Sequence, residues 1–147
     1  MDPKNNTFKS IAREQFKFLE QEFGYEFQFR REPVYSFLDS VQVEYSNTFL
    51  KREIMISFST NLRDGRIHHS VASGIAKIPY DSVEDYISIF EYLQRQEQEF
   101  SFAFFDGEDF EVSLSVILEK LARLFRKDLI SVINGSDWYT QYYPRKD

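Results

Sequence analysis

Residues 54–78 read IMISFSTNLRDGRIHHSVASGIAKI, and this stretch decides the fold. Ile54, Ile56 and Phe58 alternate with Met55, Ser57 and Ser59, the period-two pattern of a strand with one covered face. Asp64-Gly65 is the pair that a two-residue type I′ hairpin prefers, because both positions need positive φ. The chain then returns from Ile67 to Ile78, so a long antiparallel hairpin is expected. On the returning strand Ala72, Gly74 and Ala76 are small residues on one side, which points to a close approach by a helix or a partner backbone. A packed helix is the simpler of the two.

Upstream, Val41, Val43 and Tyr45 alternate with Gln42 and Glu44, and Tyr25, Phe27 and Phe29 alternate with Glu26 and Gln28 before Pro33 interrupts. The first reads as a strand, the second as a short half-buried strand or an extended segment. Ahead of them Phe8, Ile11, Ala12, Phe16, Leu19 and Phe23 recur at three- and four-residue steps, predicting one amphipathic helix that Gly24 ends.

Downstream, Pro79 closes the sheet region and Asp81 and Ser82 offer N-caps. Val83, Tyr86, Ile87, Phe90 and Leu93 then predict a second helix with a buried stripe. An aromatic run, Phe100, Phe102, Phe104 and Phe105, leads into the turn Asp106-Gly107-Glu108-Asp109, whose acceptors suit capping of the next helix. This third helix carries Leu114, Ile117, Leu118, Leu121, Leu124 and Phe125 and stops at Asn134-Gly135. Its cations, Lys120, Arg123, Arg126 and Lys127, lie towards the negative end of the helix dipole. Trp138, Tyr139, Tyr142 and Tyr143 form a tail too aromatic to stay in water, expected to dock as an extended segment. Residues 1–147 thus read as a single α+β domain, a mainly antiparallel sheet with an N-terminal helix and two C-terminal helices packed on it.

Composition narrows the functional classes. With 24 acidic against 18 basic residues the formal charge is −6, which repels phosphate backbones and argues against nucleic acid as a partner. The same surplus steers a basic protein towards the chain. There is no cysteine, hence no thiol nucleophile, disulfide or cysteine zinc site. The polar start and the lack of a long apolar run indicate neither export nor membrane insertion, so the cytoplasm is the expected compartment.

The residues of catalysis are missing from their usual patterns. The five glycines are too scattered for a nucleophile elbow, a P-loop or a dinucleotide fingerprint. His68 and His69 are neighbours on a strand and point to opposite faces, so one metal does not take both; a solvated strand surface is expected for them. Asp106, Glu108, Asp109 and Glu111 offer oxygen ligands without the spacing of a calcium loop, and helix capping plus solvation is the simpler account. The pairs Arg30-Arg31 and Arg145-Lys146 are isolated cations in an acidic chain. No catalytic residue, cofactor or metal site is therefore expected.

Among the aromatics, Phe58, Phe90 and Phe125 sit on core-like stripes. Phe102, Phe104, Phe105, Trp138, Tyr142 and Tyr143 lie instead in irregular segments beside acids, as an exposed interface cluster would. Of these, Phe104, Phe105, Trp138 and Tyr142 are the ones singled out. With Asp106, Glu108, Asp109 and Glu111 they are the candidate partner-binding residues.

The opening helix ending Phe18-Leu19-Glu20-Gln21-Glu22-Phe23-Gly24-Tyr25 and the strands Val41-Gln42-Val43-Glu44-Tyr45 and Glu53-Ile54-Met55-Ile56-Ser57-Phe58 resemble small bacterial immunity proteins. Those proteins neutralise contact-dependent or polymorphic toxins. The resemblance implies a stoichiometric inhibitor that blocks a cognate toxin through an acidic surface. Two other readings stay open: an adaptor or regulatory domain, as a monomer or a homodimer, and an enzyme with a carboxylate-bound metal at Asp106, Glu108 and Asp109.

Overall fold

The computed structural model describes residues 3–31 and 38–138. The expected hairpin is present: β3 (Arg52–Arg63) and β4 (Arg66–Lys77) pair antiparallel along their whole length, from Arg52↔Lys77 to Arg63↔Arg66. Asp64 and Gly65 take φ of +52° and +75°, the conformation the turn demands. On the other side of β3 lie β2 (Leu38–Asn47) and then β1 (Glu26–Arg31), both antiparallel. Alternation puts Val41, Val43, Tyr45, Ile54, Ile56, Phe58, Val71 and Ile75 on one face, where all are buried.

The N-terminal helix is broken. The single helix expected from Phe8 to Phe23 is α1 (Pro3–Gln15) followed by α2 (Lys17–Phe23), parted at Phe16 with φ −104° and ψ 14°. Phe16, Phe18 and Leu19 are all buried, and no single helical stripe holds positions two apart, so the chain rotates between them. Phe16 meets Phe125 edge-on at 5.4 Å. Gly24, at φ +71°, ends α2, and the Tyr25 N–H donates to the Leu19 carbonyl at 2.9 Å.

The region after Pro79 departs most from expectation. Val83–Asp85 is a single 3₁₀ turn, Asp85 accepting from the N–H groups of Asp81 (3.0 Å) and Ser82 (3.1 Å). The next residues form a strand, β5 (Tyr86–Ser88), paired with Gly74–Ala76, and only then does α3 (Ile89–Arg95) begin. Ile87 is buried while Val83 and Phe90, both expected on a core stripe, are 81% and 57% exposed. The strand wins because it satisfies the open edge of β4, which a helix would leave unpaired. At Gly74 the close neighbour is not a helix, since a Cβ there would clash with the Tyr86 ring, and Ala72 is exposed.

The aromatic run contributes β6 (Ala103–Phe105), which pairs with His68–Ser70 on the same edge of β4. α4 (Phe110–Asp128) is the expected third helix, with a further turn, α5 (Ile130–Ile133), after a break at Leu129. Leu114, Leu118, Leu121 and Phe125 join Phe8, Ala12 and Phe16 in one core with the covered sheet face. No helix among the described residues is long and apolar enough to cross a membrane.

Buried Arg52 fastens the end of this layer. Its Nε donates to the Val132 carbonyl (2.9 Å), Nη2 to Asp137 (2.8 Å), and Nη1 to Leu50 (3.2 Å) and Lys51 (3.1 Å). Desolvation lowers its pKa from the ordinary arginine value, and these carbonyls offset the burial of the charge.

Candidate functional site

His69 corrects the expectation of a solvated histidine pair: it is fully buried. Alternation on β4 turns it into the core, where its ring stacks on Phe58 at 5.3 Å and meets Phe104 and Phe110 at 5.2 and 4.9 Å. A buried imidazole needs partners for both nitrogens. Nδ1 lies 2.9 Å from the Thr60 hydroxyl and Nε2 lies 2.8 Å from Asp106 Oδ1. The same Oδ1 accepts from Lys4 Nζ at 2.6 Å. Asp106 is thereby held below the usual carboxylate range, chiefly by the Lys4 hydrogen bond and then by His69.

Hydroxyl, imidazole and carboxylate in series have the connectivity of a nucleophile, base and orienting acid. Here the imidazole is enclosed by three phenyl rings, and the carboxylate is engaged by an ammonium as well. The chain of bonds ties α1, β3, β4 and the loop after β6 together. Among the described residues no group of three or more His, Asp or Glu side chains converges as metal ligands.

That clamp fixes the segment holding most of the candidate partner-binding residues. The Asp106 N–H donates to the Ile67 carbonyl at 3.0 Å, extending β6 alongside β4. Phe104 faces inward, partly buried against His69 and Phe110 at the edge of the core. Phe105 points to the opposite face, 49% exposed, with Arg66 3.7 Å above its ring and His68 at 5.4 Å. Glu108, Asp109 and Glu111 are exposed at the start of α4. Capping does not account for Asp109, since its side chain makes no cap hydrogen bond. None of these three acids has an ion pair among the described residues.

Two residues that the sequence did not single out belong beside them. Leu62 and Ile67 are cross-strand partners on the face that is core further along the hairpin, yet they are 63% and 43% exposed. This apolar pair is left uncovered, and the Ile67 carbonyl accepts from Asp106, the first residue of the turn that carries Glu108 and Asp109.

Trp138 lies elsewhere. Its indole N–H donates to the Glu84 carbonyl at 3.0 Å and its ring lies 4.7 Å from the Arg52 guanidinium. Arg52 and Thr60 are eight positions apart on β3, roughly 26 Å at about 3.3 Å per residue, so Trp138 and the acids occupy opposite ends of the sheet. With Phe49, Lys51 and Lys77, Trp138 lines a separate cleft of about 550 Å³. Tyr142 lies outside the described residues. Comparison with protein-family models, curated proteins and solved structures found no match.

Proposed function

We propose that this chain is a non-catalytic protein-binding domain that captures a basic protein at the β3–β4 hairpin end. The observation that carries the reading is uncovered Leu62 and Ile67, tied through the Ile67 carbonyl to clamped Asp106, together with Glu108 and Asp109 on the turn after it and Glu111 in the first turn of α4, none of which has an ion pair among the described residues. An apolar centre with a charged rim is the anatomy of a protein interface, and a surface held rigid before binding loses little entropy on association. The acids would steer a cationic partner, and the apolar pair would anchor it. Combined with the resemblance to immunity proteins, the partner we propose is a cognate toxin, neutralised by occupation of its active site or substrate path.

The test is co-expression with candidate toxin domains, scored by growth and complex formation. Rescue by the wild-type chain, lost in a Glu108→Lys/Asp109→Lys/Glu111→Lys variant that still folds, supports the reading. Rescue that survives both this variant and Leu62→Ser/Ile67→Ser would refute the interface.

A further inference from the structure

On the uncovered face of the sheet, at the end away from the acids, we propose a pocket for an organic cation: the ammonium or guanidinium of a lysine or arginine side chain presented by another polypeptide. This inference is independent of the proposed function, since it concerns another face and another end of the sheet.

The pocket follows from strand alternation. Glu53, Met55 and Ala76 point outward because Ile54 and Ile75 point into the core. Tyr86 points outward because Ile87 is buried, and its ring lies across β4 where Gly74 has no Cβ to obstruct it. Tyr80 meets Tyr86 at 6.4 Å with the ring planes 81° apart. Together with Ile78 these residues line a cleft of about 490 Å³, within the range of ligand sites.

The chemistry of the walls selects the occupant. Two nearly perpendicular phenol rings offer a π face and an edge, and a cation is attracted to the face. Among the described residues, half-buried Glu53 is the one carboxylate in the lining, it has no ion pair, and no cationic side chain lines the cleft. An anionic ligand would meet Glu53 with nothing to offset the repulsion. A neutral apolar ligand would leave that carboxylate desolvated and unpaired. A lysine or arginine side chain satisfies both features, its aliphatic stem against Met55 and Ile78 and its charged end against Glu53 and the rings.

The experiment is an NMR titration of the isotope-labelled full chain, followed at residues 53–55, 74–80 and 86. The probes are n-butylammonium, n-pentanol as its neutral counterpart, and an end-blocked Gly-Lys-Gly peptide with and without acetylation of the lysine. The expected result is that butylammonium and the unmodified peptide shift these signals and bind at least about fivefold more tightly than pentanol and the acetylated peptide. Glu53→Gln and Tyr80→Leu, both at the sheet surface, should each weaken the cations about fivefold while leaving the remaining spectrum in place. Equal binding of pentanol, or undiminished binding by both variants, overturns the proposal. Binding of butylammonium without the lysine peptide overturns it in favour of a site for a free small cation.

Discussion

His69 depends on a carboxylate 37 positions away in the chain, and that dependence can be measured. Asp106→Asn removes the charge that Lys4 and His69 share, and should cost about 1–3 kcal/mol at neutral pH by urea unfolding. The pH dependence has a definite sign. The folded-state pKa of Asp106 is lowered, so its stabilisation is fully present above the unfolded carboxylate value, about pH 4, and is lost as pH falls through the lower folded value. The gap between wild type and Asp106→Asn should therefore narrow at pH 3. Tyr45 makes the opposite case. Its hydroxyl is buried without a hydrogen-bond partner among the described residues, and burial raises its pKa. Tyr45→Phe should stabilise the fold by about 1 kcal/mol, seen as a raised unfolding midpoint with an unchanged denaturant slope.

The elements differ in how far local sequence determines them. The β3–β4 hairpin is legible because Asp64-Gly65 and the alternation on both sides are local signals. β5 is not, because Tyr86-Ile87-Ser88 sits inside a helical stripe and becomes a strand only through pairing with β4. The break at Phe16 is hidden for a related reason: the apolar spacing fits a helix until Phe18 must also be buried. Of the site, the acids and Phe105 are visible as a charged, aromatic loop. Leu62 and Ile67 are not, because alternation assigns them to the core face and only tertiary packing decides that they stay exposed. Gly74 links sequence to element directly. Gly74→Val should displace the Tyr86 ring, loosen β5 from β4, and cost about 1–3 kcal/mol, with faster amide exchange at residues 86–88 as the local readout. At the other end, Arg52→Met should cost about 3 kcal/mol by leaving the Val132 and Asp137 carbonyls without their donor.

At the scale of the whole molecule, the covered sheet face is occupied by one core and the hairpin end stands beyond it, carrying an apolar pair with acids alongside. The formal charge of −6 suits capture of a basic partner, and such capture should slow as salt rises, because steering between exposed charges is screened. The most direct test is quantitative affinity capture from lysate of the source organism, run in parallel with tagged wild type and with Leu62→Ser/Ile67→Ser/Glu108→Lys/Asp109→Lys. The account predicts one basic protein recovered stoichiometrically by the wild type, inhibited by it, and absent from the variant. Equal recovery by the variant, or recovery of the chain only with itself, would contradict it.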